Sequence, residues 1–395
     1  MSGAHTVIVA GAGIAGLTTA LALARAGFRV VVLEQAAQLD EIGAGIQLSP
    51  NATRVLRALG LDAALQPHVV ALEWLRVMDG PSGSEIAALP LGSEATERYG
   101  APFWSIHRGD LQRVLLDAVK ANPEIVLRLG LGVAGYRADA HAITVVGKAG
   151  QVMIEERGMA LVGADGLWSA VRKSAGHPEM PRFRRRTAWR ATVAAEAVAD
   201  EWRRGMTTLW LGPGGHVVHY PVKGGGALNI VAIVRDHAEI QGWSAPGARE
   251  ALIARFSRWG QAARAILAAP QAWQTWSLFD LSPLPGWGKG AVTLMGDAAH
   301  PMLPFVAQGG AMAIEDAWVL ADELAKSPQA PEPALRSYEK LRLARTARAA
   351  REAVRTGHIY HLKGPLARAR NATMRLIGGE RLRRRYDWLY DWKGT

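Results

Sequence analysis

Three observations predict an α/β protein: a Rossmann-like domain, interrupted by an inserted β-rich domain and followed by C-terminal helices. First, the apolar run at residues 7–10 leads into Gly11-x-Gly13-x-x-Gly16 and then into a helical pattern. Second, the same order of apolar run and glycine-rich turn returns at residues 159–166 and 291–300. Third, residues 187–280 change character, to short β-rich runs separated by Gly/Pro turns.

Taken in order, residues 7–10 read as a buried strand, 14–26 as a helix and 28–33 as a second strand. An intervening helix makes the two strands parallel, and the βαβ unit has the usual length of about 30 residues. Residues 71–78 and 85–91 alternate weakly, like edge strands. Residues 110–119 carry Leu111, Val114, Leu115 and Ala118 at helical spacing. Residues 125–129, 142–146, 152–155 and 159–162 read as further strands. The runs 187–194, 206–211, 216–221 and 227–234 suggest an antiparallel sheet. A buried-strand pattern returns at 291–295, and long helices follow to about residue 356. The cofactor domain is therefore expected in three pieces, 1–70, 109–180 and 281–364. The inserted domain takes 71–108 and 181–280, and 365–395 forms a helical tail.

A chain of 395 residues suffices for two domains with their own cores. Hydrophobic residues make up 49% and charged residues 21%, as in ordinary globular proteins. The absence of cysteine excludes disulfides, thiolate metal sites and a thiol nucleophile, and no metal site is expected. It fits a cytoplasmic protein, and no cleavable leader is read at the N-terminus. The apolar stretch 7–33 is broken by Arg25, Gly27 and Arg29, so no stable membrane insertion is expected. The net charge of +11 gathers partly at Arg182, Arg184, Arg185 and Arg186 and at Arg381, Arg383, Arg384 and Arg385. Such clusters read as solvated faces whose field draws small anions. No nucleic-acid fold signature accompanies them, so nucleic acid is not an expected partner.

The chemistry lies in the glycine turns. Gly11, Gly13 and Gly16 allow a tight turn, close approach of backbone to a pyrophosphate, and close helix–strand packing. The helix N-terminus that follows offers N–H groups to an anion. Glu34 ends the second strand, where a carboxylate accepts hydrogen bonds from ribose hydroxyls. This unit alone serves NAD and FAD equally. The turns Gly163-Ala-Asp165-Gly166 and Gly296-Asp297-Ala-Ala-His300 extend the reading. Asp297 is placed to accept a ribityl hydroxyl. The helix starting near Gly309 aims its N–H groups at a ring that gains negative charge on reduction. Either aspartate alone reads equally well as an N-cap or turn residue. Three such turns in this order point to FAD.

The chain resembles the single-component FAD-dependent aromatic hydroxylases, the group A flavoprotein monooxygenases. The resemblance rests on Gly11 to Gly16, Arg108-Gly-Asp-Leu111, Gly163 to Gly166 with Arg172, and Gly296-Asp-Ala-Ala-His-Pro301 with Gln308-Gly-Gly310. Glu41-Ile-Gly-Ala-Gly-Ile-Gln-Leu-Ser-Pro-Asn51 and His216-Val-Val-His-Tyr-Pro221 are similar to the branch of salicylate, 3-hydroxybenzoate and 6-hydroxynicotinate hydroxylases. The resemblance implies a GR2-type FAD domain in a fold similar to that of p-hydroxybenzoate hydroxylase. It implies FAD held noncovalently, with Glu34 on the adenosine ribose, Arg108 near the ribose–pyrophosphate and Asp297 on the ribityl–pyrophosphate part. Ala15, Gln35, Val133, Asp165, Gly309, Gly310 and Ala311 complete the expected cofactor contacts. NADH or NADPH is the implied transient reductant, and O2 the oxidant, acting through a flavin C4a-hydroperoxide on a small aromatic substrate. A flavoprotein epoxidase, or a hydroxylase of a larger quinone or polyketide substrate, is the alternative.

A phenolic ring reacts faster as phenolate, and histidine is the natural base for it. On a strand His216 and Tyr220 share a face while His219 points away. His216 is therefore the expected base and Tyr220 a substrate contact, with His219 in reserve. Arg190 reads as a surface arginine beside Trp189 or as the partner of a substrate carboxylate. Gln47 replaces a histidine of the hydroxynicotinate branch, which turns the expectation away from that substrate. Pro301 and Gln308 are expected to line the active face of the flavin, and His300 to be structural. Trp388 and Trp392 lie in an aromatic tail expected to dock on its own domain or on a second subunit of a homodimer.

Overall fold

The structure is a computed structural model that describes residues 5–39, 44–139, 142–240 and 244–394. Glu41, Ile42 and Gly43 of the motif quoted above lie outside the described residues. Five parallel strands form the sheet that the glycine turns imply. Their spatial order is Val292–Leu294, Ala160–Gly163, Thr6–Ala10, Arg29–Leu33, Ile125–Arg128. The three strands that carry glycine turns therefore lie side by side and open at one edge. Their side chains are almost all buried, as the continuous apolar runs require. The Ile14–Arg25 helix packs on this sheet and against the Gly309–Lys326 helix. An antiparallel meander, Gly132–Ala138, Ile143–Ala149 and Val152–Gly158, leads back into the sheet.

The second large sheet has eight strands. Their order is Ala245–Gly247, Trp273–Asp280, Arg182–Ala194, Ala227–Arg235, Gly215–Val222, Met206–Gly212, Trp74–Asp79, Glu85–Pro90. The sequence predicts an antiparallel sheet here, but it is mixed: Met206–Gly212 pairs in parallel with Trp74–Asp79. Trp74–Asp79 is also not an edge strand; it is paired on both sides, and Glu85–Pro90 forms the edge. Period-two alternation gives this sheet two faces. One buries Trp189, Trp210, Val217, Ile230 and Trp273 with residues of the helices Arg249–Arg255 and Gln261–Ala268. The opposite face carries Arg190, His216, Val218, Tyr220, Val231 and Ile233, which line a cavity. Register places Arg190, Val231 and Val218 in one row across three strands.

A small sheet of Gly45–Leu48, Trp104–His107 and Val70–Ala71 stands between the two large ones. After the 30-residue helix Pro331–Tyr360, the helices Gly364–Ile377, Gly379–Arg384 and Asp387–Tyr390 fold back onto the chain. Arg345 donates to the carbonyls of Trp388 (2.6 Å) and Leu389 (2.9 Å), and Tyr99 Oη donates to Asp387 at 2.6 Å. The Arg348 guanidinium lies 3.8 Å from the centroid of the Trp388 ring. The aromatic tail thus docks on its own chain, so the tail gives no reason to expect a second subunit. Among the described residues no helix is long and apolar enough to cross a membrane.

Candidate active site

The first glycine turn is shaped by two contacts and one opening. A Cβ on Gly16 would lie 1.8 Å from the Gly11 carbonyl oxygen, and one on Gly11 would lie 2.5 Å from that of Ala164. Gly11 also has φ +100°, a left-handed value suited to glycine. A Cβ on Gly13 would meet nothing within 4 Å. Two glycines therefore let protein pack on protein, while Gly13 borders open space at a helix N-terminus. That is the arrangement a pyrophosphate needs. Glu34 organises the turn: its carboxylate accepts the N–H of Ala12 (2.7 Å) and of Ala36 (2.8 Å). The Leu131 N–H donates to the Glu34 carbonyl at 2.8 Å, and a Cβ on Gly132, the neighbour of Val133, would lie 3.1 Å from Cβ of the exposed Gln35.

The second and third turns are tied to each other. The buried Arg172 donates to the Ala298 carbonyl (2.9 Å) and to the Leu167 carbonyl (2.7 Å). Asp165, expected to contact the cofactor, holds its own loop in place. It accepts from Ser169 Oγ and from the N–H groups of Ala170 (2.7 Å) and Val171 (3.0 Å). Its neighbours Ala164 and Gly166 reach the cavity wall. Asp297 is exposed at that wall, and Arg108, Gly13, Ile14 and Ala15 lie on it as well. The Gly309–Lys326 helix presents Gly309 and Gly310 to the cavity, and Ala311 is buried behind them.

Behind this helix N-terminus lies a buried polar network that the sequence did not disclose. Gln308, placed at the wall as expected, donates to Ser49 Oγ at 2.8 Å and accepts from Asn51 at 3.1 Å. Asn51 also donates to Glu315, which accepts from Arg342 (2.6 Å) and Arg345 (2.7 Å). Arg342 donates to Asp316 at 2.7 Å, and His300 joins the other Asp316 oxygen at 2.6 Å. Burial alone would raise the Asp316 pKa, but His300 and Arg342 outweigh it and hold the pKa down to about 2. His300 is thus structural, as expected.

The turns and the second sheet enclose one cavity of about 420 Å³. Arg190 converges on it from the Arg182–Ala194 strand and His216 and Tyr220 from Gly215–Val222, two strands away, and Gln47 reaches it while donating to Thr207 Oγ1 at 3.3 Å. Arg190 has no carboxylate partner among the described residues; its guanidinium lies 5.2 Å from the Trp276 ring centroid. Burial lowers its pKa, and nearby Tyr220 partly offsets this. Burial raises the Tyr220 phenol well above its ordinary value. His216 Nδ1 lies 2.8 Å from His361 Nε2, and His361 Nδ1 lies 2.9 Å from an Arg186 guanidinium nitrogen. Burial first, and Arg186 second, push the His216 pKa down to about 3.

Two expected site residues lie elsewhere. His219 is fully buried on the opposite face of its strand, 5.0 Å from the Trp202 ring and 6.5 Å from Trp210, and neither ring nitrogen has a hydrogen-bond partner. It cannot stand in for His216. Pro301 faces a separate small void with Leu281, Trp287 and Leu343. The proline on the main cavity is Pro304, followed by Phe305, Val306 and Ala307. Nothing periodic marks which proline of this loop faces inward. Sequence reasoning also missed Arg383, Tyr386 and Tyr390, tail residues that line the cavity.

Fold and cavity together define a flavoprotein with a cavity between its dinucleotide-binding turns and the eight-stranded sheet. The chain belongs to the FAD binding domain family, whose model matches residues 4–353, and within it to the group A aromatic monooxygenases. It is 38% identical to 3-hydroxybenzoate 6-hydroxylase 1 of Aquipseudomonas alcaligenes over 387 residues, which cover 98% of this chain and 97% of the relative. It is 39% identical to 3-amino-4-hydroxybenzoate 2-monooxygenase PtnB3 of Streptomyces platensis over 391 residues, 98% and 96% of the two chains. A Klebsiella pneumoniae HpxO variant complexed with FAD superposes with a TM-score of 0.85 at 27% identity and covers 98% of each chain.

Proposed function

We propose that the protein hydroxylates a small aromatic ring bearing a carboxylate and a phenolic hydroxyl, using FAD, O2 and NADH or NADPH. The observation that carries this reading is Arg190: a guanidinium on the wall of the cavity with no carboxylate partner among the described residues, beside Tyr220 and one row from His216. A planar fork donor so placed pairs with a carboxylate, and the hydroxybenzoate specificities named for the relatives fit it. Bound FAD supplies reduction by the nicotinamide and transfer of one oxygen atom of O2 to the ring.

This chain's residues hold and shield the reactants. Glu34, Gln35 and Val133 would surround the adenosine, and Gly13 would face the pyrophosphate in the turn that Gly11 and Gly16 close. Arg108 and Asp297, on the same wall, would hold the part that runs to the ribityl group, and the N–H groups of the Gly309 helix terminus would stabilise negative charge on the flavin ring. Arg190 anchors the carboxylate, while His216 and Tyr220 address the ring hydroxyl. Residues 1–70, 109–180 and 281–364 serve FAD, residues 71–108 and 181–280 the substrate. The tail, through Arg383, Tyr386 and Tyr390, closes the cavity against water.

The test is NADH and NADPH oxidation by the FAD-loaded protein over a panel of hydroxylated benzoates, with product mass recorded. A benzoate that stimulates oxidation and gains one oxygen is the expected result. Turnover of only larger quinone or polyketide substrates would transfer the reading to that alternative.

A further inference from the structure

We propose that Arg186 and His361 lock His216 as a hydrogen-bond donor toward the cavity, so that it stabilises an oxyanion on the substrate and removes no proton. The inference rests on the cavity being the substrate site, as read above. It replaces the role of base expected for His216 from the strand pattern.

The hydrogen bonds from Arg186 through His361 to His216 fix where each ring proton sits. A guanidinium has five N–H donors and no acceptor. His361 Nδ1, 2.9 Å from Arg186, must therefore accept. A neutral imidazole carries one N–H, so the His361 proton sits on Nε2. That atom lies 2.8 Å from His216 Nδ1, which must accept in turn. The His216 proton is then on Nε2, the nitrogen left for the cavity that His216 lines. The reverse order, with His216 Nε2 bare and ready to take a proton, would turn a His361 N–H against the guanidinium.

The surroundings keep the chain neutral and point it one way. Among the described residues no carboxylate is bonded to His216, His361 or Arg186. In an imidazole base a carboxylate accepts a hydrogen bond from the far ring N–H and leaves the near nitrogen bare; here a donor-only cation stands at the end of the chain and inverts its polarity. Phe305 and Tyr360 flank the His216 ring at 5.3 and 5.4 Å. Burial, with His216 and Arg186 next, drives the His361 pKa down to about 2. The fold builds the contact deliberately. Arg186 lies within a break in strand register between Phe183 and Thr187, where Arg185 takes φ +52°; such bulges re-aim a side chain. His361 caps the C-terminus of the Pro331–Tyr360 helix, a position that favours a cationic imidazole, yet burial and Arg186 prevail.

Two-bond 1H–15N spectra of the FAD-loaded enzyme, labelled at histidine, read which ring nitrogen carries the proton. His216→Gln and His361→Gln assign the two resonance sets. Both residues are expected as neutral Nε2–H tautomers in the wild type. Arg186→Lys, which keeps a donor-only cation, should preserve that state, and Arg186→Gln, whose amide can accept, should give a mixture with the Nδ1–H form. An Nδ1–H tautomer or an imidazolium at either residue in the wild type overturns the proposal, as does a tautomer indifferent to Arg186→Gln. If the Arg186 variants fail to fold, the wild-type spectrum alone decides. Hydroxybenzoate turnover is scored separately: its absence beside Nε2–H tautomers counts against the substrate reading alone, and its presence beside Nδ1–H tautomers counts against this lock alone.

Discussion

Arg190 tests the substrate reading at the scale of one residue. A hydrogen bond to a charged group contributes about 1.5–3 kcal/mol, so losing the guanidinium should raise KM roughly 10- to 150-fold. Arg190→Met should show this for a hydroxybenzoate, with flavin content intact and kcat little changed. The corresponding phenol, which lacks the carboxylate, should be indifferent to the substitution. Equal losses on both ligands would show that Arg190 shapes the wall and anchors no carboxylate. Arg190→Lys should recover only part of the affinity, because a point charge cannot match the fork. The shared face of His216 and Tyr220 was legible because a strand has period two, whereas Arg190 read equally as a surface arginine beside Trp189. His361 was not legible as the partner of His216, because 145 residues separate them and the end of a long helix carries no mark of what it touches.

At the scale of the element, the first glycine turn separates a packing glycine from a ligand-facing one. Gly16→Ala forces a methyl into the Gly11 carbonyl and should destabilise even the flavin-free protein. Gly13 has φ −73° and open space beyond its Cα, so Gly13→Val should fold. Its flavin-free melting temperature should match the wild type, while FAD affinity falls at least tenfold because the side chain occupies the pyrophosphate position. Melting curves with and without added FAD check both statements, and normal FAD affinity in Gly13→Val would displace the pyrophosphate from this turn. Asp297→Ala should likewise release FAD without unfolding the protein; unchanged flavin affinity would refute the ribityl assignment. These turns were readable because glycine spacing and apolar runs are local. The parallel pairing of Met206–Gly212 with Trp74–Asp79 was not, because pairing direction is set by a strand that lies more than a hundred residues away in the chain. Asp165 shows the same limit: a carboxylate after two small residues reads alike whether it meets a ribose or its own loop.

At the scale of the whole molecule, the fold buries imidazoles that the unfolded chain leaves free to titrate. Burial depresses His216 and His219 to about 3 and His361 to about 2, against an ordinary value of 6.5. Above pH 6.5 these residues are neutral in both states and exert no pH-dependent effect. As pH falls from 6.5 toward 3, the unfolded chain takes up protons that the folded one refuses, so stability falls with pH across that window and levels off below it. His219 gives the cleanest measure, because it is remote from the cavity and both its ring nitrogens lack partners. At pH 5 its refusal of a proton should cost about 2 kcal/mol, and at pH 8 none of that remains. His219→Leu should therefore raise the denaturation midpoint more at pH 5 than at pH 8, by a difference of that size, and leave turnover unchanged. Some gain should persist at pH 8, because the substitution also removes two buried polar atoms that the Trp202–Trp210 surroundings do not satisfy. Denaturant unfolding of both proteins at the two pH values checks this, and a gain independent of pH would mean that His219 is protonated in the folded state.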